Sequence, residues 1–215
     1  MIARRASRAL LPLAAVALAL PLLAAPPVAA AAPVLRTSAL PAAPTTAVRA
    51  AVVRPAAIRA GTYAIGDSVM LGSKSLLTSH GITVNASVSR QFHAAVATVA
   101  LLRRSGKLPR NLVVHLGTNG YVNLSDCTTI VNTAGPSRRV FLVTAKAPRS
   151  WIPLANKHLR ACAAAYGGHR VVLVDWVRIS SRHPEWFYSD RVHPNSTGRP
   201  HYVAMITTAL RVWGL

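Results

Sequence analysis

Five short apolar runs punctuate the chain beyond residue 60, and small polar residues follow several of them. Thr62–Ile65, Ile82–Val84, Leu112–Leu116, Val140–Thr144 and Val171–Val174 are continuous rather than alternating. That is the pattern of strands buried on both faces of a parallel sheet. Helical spacing lies between and after them. Phe92, Val96, Val99 and Leu102 fall on one face, and Tyr202, Met205, Ile206, Ala209, Leu210 and Trp213 recur at intervals of three and four. Met70, Leu71 and Leu76 supply the apolar positions of a further helix that opens at Ser68. Strand alternating with helix predicts an α/β fold with one five-stranded parallel sheet covered on both faces.

The first 60 residues read differently. Arg4, Arg5 and Arg8 precede an uncharged stretch from Ala9 to Leu35, which contains the small-residue run Val28-Ala29-Ala30-Ala31-Ala32. A positive flank, an apolar middle and an A-x-A site predict a secretory signal over residues 1–32. The stretch is also long enough to span a bilayer, so a retained anchor is the competing expectation. Pro12, Pro21, Pro26 and Pro27 interrupt it and favour cleavage. Residues 33–60 hold Pro33, Pro41, Pro44 and Pro55, four arginines and no acid, which predicts an extended linker. Residues 61–215 remain as one domain, long enough to bury about 68–70 % of its unfolded surface.

Composition narrows the chemistry. Hydrophobic residues make up 52 % of the 215, too many for a disordered chain. Only 5 Asp+Glu stand against 25 Lys+Arg, for a formal charge of +20, and they leave little material for a carboxylate-rich metal site or a carboxylate-pair glycosidase. No metal and no cofactor is expected. The basic balance favours anionic partners. For an exported protein those are wall polymers or lipid headgroups; no nucleic-acid motif accompanies the charge. Cys127 and Cys162 form an even pair in a chain bound for export, which predicts a disulfide; two separate buried thiols are the alternative.

Three polar motifs sit at the carboxyl ends of expected strands or just before the last helix, where ligands bind in such sheets. Gly66-Asp67-Ser68-Val69 places a serine at a helix start, beside unpaired backbone N–H groups. Gly117-Thr118-Asn119-Gly120 offers an amide side chain at the sheet rim. Asp190-Arg191-Val192-His193-Pro194 puts an aspartate three residues ahead of a histidine, close enough to fix its tautomer. Alone, each has an ordinary explanation as a helix cap, an Asn-Gly turn or a loop histidine. His183-Pro184 imitates the third motif but has no aspartate at the matching offset.

Taken together, in this order and placement, the motifs resemble those of the SGNH (GDSL-type) hydrolases over nearly all of 61–215. The likeness is greatest to the extracytoplasmic SGNH domain of bacterial cell-wall and polysaccharide O-acetyltransferases, through Arg90-Gln91, His115-Leu116-Gly117-Thr118-Asn119-Gly120 and His183-Pro184-Glu185-Trp186-Phe187 as well. The resemblance implies a flavodoxin-like three-layer fold. It implies Ser68 as nucleophile, His193 as general base and then acid, and Asp190 as its orienting partner. The implied oxyanion hole is the Ser68 backbone N–H, the Asn119 side chain and a backbone N–H at Ser89, where the family usually has glycine. If that glycine sits at positive φ, a serine is disfavoured there.

The expected activity is that of an exported, monomeric serine esterase or acetyltransferase acting on O-acetyl esters of polysaccharide through an acyl-enzyme. The competing readings are a lipase, lysophospholipase or thioesterase on the same fold, and a non-catalytic module that binds anionic glycans.

Overall fold

The computed structural model describes residues 61–215; the signal and linker expected over 1–32 and 33–60 lie outside the described residues. Five strands, β1 (Thr62–Gly66), β2 (Ile82–Ala86), β3 (Asn111–His115), β4 (Arg139–Val143) and β5 (Val171–Val174), pair in the order β2-β1-β3-β4-β5. Every pairing is parallel. The order reverses between β1 and β3, so a crevice opens outside their carboxyl ends.

Alternation along the strands builds two cores. Leu112 and Val114 of β3, with Val140 and Leu142 of β4, face α3 (Ala94–Arg104), α4 (Leu124–Ala134) and α5 (Ile152–Ala165). Val113, Phe141 and Val143 face the other way, onto α1 (Ser68–Leu71), α2 (Lys74–Ser79), α6 (Trp176–Ser180) and α7 (Gly198–Trp213). The central strand β3 is buried at all five positions, as a continuous apolar run requires. Cys127 and Cys162 are joined in a disulfide that ties α4 to α5 within the first core.

The helix expected after Ser68 is two short helices separated at Gly72-Ser73. The face that begins at Met70 continues to Leu77 seven residues on, which is fully buried, whereas Leu76 points outward. Phe92 is buried but precedes the first turn of α3, and Trp213 is 46 % exposed at the last position of α7. The remaining α7 positions, Tyr202, Met205, Ile206 and Leu210, are in the core as their spacing implied, with Ala209 partly buried against it.

Candidate active site

Gly66 closes β1 directly under α1. A Cβ built on it would lie 2.4 Å from the Met70 Cβ, so only glycine lets the chain turn this tightly from strand into helix. Asp67 then caps α1: its Oδ1 accepts from the Val69 N–H at 3.0 Å, and its side chain is fully buried. This capping role occupies one oxygen of the buried aspartate, and Ser68, the next residue, is partly exposed at the helix start.

The segment before α7 delivers the histidine. Asp190 Oδ1 accepts from the backbone N–H groups of Val192 at 2.8 Å and His193 at 3.0 Å, curling the loop while Arg191 takes φ 58°. The loop is held from below by Asn195. Its Oδ1 accepts from the Thr197 and Gly198 N–H groups at 3.0 Å, and its Nδ2 donates to the carbonyls of Glu185 and Phe187. Nothing in the sequence singled out Asn195, although an Asn three residues before a helix is a capping signal.

Asp190 Oδ2 lies 2.6 Å from His193 Nδ1, and His193 Nε2 lies 2.9 Å from Ser68 Oγ. The carboxylate can only accept, so Nδ1 carries the proton and Nε2 presents its lone pair to the serine hydroxyl. Partial burial raises the Asp190 pKa. Hydrogen bonds from the His193 ring and from the Val192 and His193 N–H groups, with the charge of His193, outweigh it and hold the carboxyl below its ordinary value of 3.8.

Asn119 stands across the same hollow, with its Nδ2 donating to the Arg90 carbonyl at 3.4 Å. Ser89, in the loop after β2, adopts φ 57°. The Ser89 backbone is thus in the left-handed region, where a glycine would sit without strain. The Arg90 guanidinium braces this loop by donating to the Asn85 carbonyl at 2.6 Å, the Asn85 side chain at 2.9 Å and the Gly66 carbonyl at 3.4 Å. That bracing role was not readable from the sequence, where Arg90 figured only as part of a familiar pair.

The hollow measures about 160 Å³. Ser68, Asn119, Asp190 and His193 share it with Thr118, Ala147, Arg149 and Val192, and no Phe, Tyr or Trp lines it. Ala147 and Arg149 belong to the loop after β4, whose start is fixed by a pair of bonds between Asn156 on α5 and the Ala145 N–H and carbonyl. Larger hollows elsewhere, at α5 and β5 and beside the amino end of β1, contain no paired nucleophile and base. Among the described residues no group of His, Cys, Asp or Glu side chains is arranged to hold a metal ion.

Behind the site, His115 at the end of β3 is fully buried, with Nδ1 2.6 Å from the Tyr202 hydroxyl. Burial pushes the His115 pKa below its ordinary 6.5, while the nearby Asp67 charge and the Thr144 backbone pull weakly the other way. Burial, reinforced by Asp67, also raises Tyr202 well above 10.0, so the hydroxyl keeps its proton. His183, the decoy, points to Glu185 Oε1 at 2.8 Å and stacks on Trp186, whose other face stacks on His201.

No family model matches the chain. It is 31 % identical over 151 residues to the peptidoglycan O-acetyltransferase OatA of Listeria monocytogenes, covering 69 % of this chain and 24 % of that protein. It is likewise 31 % identical over 137 residues to the O-acetyltransferase OatA of Staphylococcus aureus, covering 62 % of this chain and 22 % of that one. The chain thus spans about a quarter of the length of the curated relatives it matches. Among solved structures, the OatA C-terminal catalytic domain of Streptococcus pneumoniae superposes with a TM-score of 0.64 at 26 % identity, over 71 % of this chain and 93 % of that one. A family 3 carbohydrate esterase from Talaromyces cellulolyticus shares the fold, with a TM-score of 0.56 at 18 % identity over 70 % and 96 % of the two chains.

Proposed function

The chain belongs to the SGNH hydrolases, and from that premise we propose that it is an extracytoplasmic O-acetylesterase or O-acetyltransferase of polysaccharide, working through Ser68, His193 and Asp190. The observation that carries this reading is the unbroken line of hydrogen bonds Asp190–His193–Ser68 at 2.6 and 2.9 Å. His193 Nε2 takes the serine proton as Oγ attacks the ester carbonyl. Negative charge then collects on the carbonyl oxygen, where the Ser68 N–H, the Asn119 amide and the Ser89 N–H are the donors we assign to it. Collapse of that adduct expels the alcohol, which leaves with the proton from His193. A second oxygen nucleophile resolves the acetyl-serine and returns its proton to Nε2: water completes hydrolysis, and a sugar hydroxyl completes transfer.

The size and polarity of the hollow support a short acyl group. A volume of about 160 Å³ with no Phe, Tyr or Trp in its lining suits acetyl and offers a long chain no apolar trough. The names of the relatives support a glycan as the other half of the ester.

The test is release of p-nitrophenol from its acetate and octanoate esters, beside Ser68→Ala. Serine-dependent turnover preferring acetate is expected. A preference for octanoate would overturn the acetyl assignment, and turnover that survives Ser68→Ala would overturn the nucleophile.

A further inference from the structure

The acids of this molecule, unlike its cations, are sorted by the direction of its strands. Its five acids are Asp67, Asp126, Asp175, Glu185 and Asp190. Asp67 follows β1, Asp126 lies in the first turn of α4, Asp175 follows β5, and Glu185 and Asp190 precede α7. Every one of these places is at the carboxyl end of the parallel strands, the end that holds the Ser68 hollow.

Among the described residues, the charged side chains at the amino end are all cations. Arg103 and Arg104 end α3, Lys107 and Arg110 lie in the loop to β3, Arg138 immediately precedes β4, and Arg211 is in the last turn of α7. Asn111, the first residue of β3, brings the end of α7 to this face by bonding the Leu215 N–H at 3.0 Å and carbonyl at 3.3 Å. Arg138 turns inward to the Leu108 and Ala134 carbonyls; the other five are exposed, and none is in an ion pair with a described carboxylate. The crowding is real: burial first, then the neighbouring Arg103 and Arg110, lowers the Arg138 pKa.

The same face carries exposed apolar side chains. Leu101 is 60 % exposed near the end of α3, and Val212 and Trp213 are 64 % and 46 % exposed at the end of α7. A soluble polyanion needs only the cations. Cations set beside tryptophan and aliphatic side chains suit a lipid headgroup layer, where phosphates meet the charge and the rings and methyls enter below them. The chain also enters the domain here. The Gly61 carbonyl accepts from the Asn111 N–H at 3.2 Å, and Arg49, Arg54 and Arg59 lie upstream of it with no acid.

We propose that the amino end of the sheet is a docking face for an anionic phospholipid surface, holding the Ser68 hollow on the side turned away from the lipid. All four tryptophans of the chain lie beyond residue 150, so quenching by lipid reports on this domain even in the full chain.

The experiment mixes the full chain with vesicles of three parts phosphatidylcholine to one part phosphatidylglycerol, with brominated acyl chains, and takes the quenching lost in Trp213→Phe as the Trp213 signal. Arg110→Glu/Arg211→Glu is expected to lower that signal at least fivefold. Arg178→Glu/Arg182→Glu, an equal change in net charge at exposed positions on the opposite end, is expected to lower it less than twofold. Arg110→Gln/Arg211→Gln, a milder change, is expected to fall between them, and thermal melts confirm that each variant is folded. Equal losses from the two reversed pairs, or no Trp213 signal from bound protein, would overturn the proposal. So would a signal of the same size on phosphatidylcholine alone. Binding of this face to duplex DNA or a soluble polyphosphate without quenching on vesicles would assign it to a polymer instead.

Discussion

The side-chain amide of Asn119 and the main-chain carbonyl of Arg90 meet at 3.4 Å, joining the loop after β3 to the loop after β2 at the mouth of the hollow. The bond orients one amide hydrogen, and the other is the one we assign to the oxyanion. Asn119→Ala is expected to lower kcat on p-nitrophenyl acetate by about 10²–10³, the usual cost of one such donor. Arg90→Ala removes the brace to Asn85 and Gly66 rather than a donor, and a smaller fall of about tenfold is expected, mostly in kcat. Steady-state kinetics of both variants check this.

Ser89 carries a left-handed backbone without being glycine. Ser89→Gly should therefore stabilise the domain by about 1 kcal/mol, the lower end of the penalty for an L-residue in that region. Denaturant melts of the two proteins measure it. A less stable variant would mean that the serine side chain earns its place by a contact.

The Asp190 carboxyl is held below its ordinary 3.8, so it is ionised throughout the range in which a histidine titrates. The sign follows: a carboxyl with a lowered folded pKa contributes stability that is complete above the unfolded value and is lost as pH falls through the folded one. Asp190→Asn is expected to lower kcat by about 10³–10⁴ by favouring the wrong His193 tautomer. The pH–rate profile of the native protein should have no second acid limb from Asp190 above pH 4.

His115 acts in the same sense but in a higher pH window. Its folded pKa lies below 6.5, so the unfolded chain binds more protons and stability falls as pH drops below 6.5. Melting temperatures measured from pH 7.5 to 5 should decline, and His115→Gln should flatten that decline while costing stability overall through the lost Tyr202 bond.

The sheet was legible because its strands are buried on both faces: continuous apolar runs at 62–65, 112–116 and 140–144 admit few other readings, and the structure moves their ends by one residue. The grouping of Ser68, His193 and Asp190 was legible only through the resemblance that the motifs carry together, since alone each reads as a helix cap or a loop histidine. The supports were not. Arg90, Asn156 and Asn195 work mostly through bonds to main-chain carbonyls and N–H groups, whose identity no side chain in the sequence reports; only Asn195, ahead of α7, has a local capping signal. The break at Gly72-Ser73 was missed because four apolar residues in nine imitate one continuous helix.

The Cys127–Cys162 bond closes a loop of about 36 residues, and its loss is expected to cost about 3–4 kcal/mol by loop entropy. Urea melts with and without reductant measure the difference.

The same bond spans more than it stabilises. Inside its loop lie β4 and the exposed Pro148-Arg149-Ser150 stretch, the natural target for a trypsin-like enzyme at the rim of the hollow. A cut there leaves two fragments that are still one covalent molecule, the first holding β1 to β4 and the second β5 of the same sheet. Damage by external proteases would thus be recorded as a nick rather than a loss: a single band without reductant, two with it.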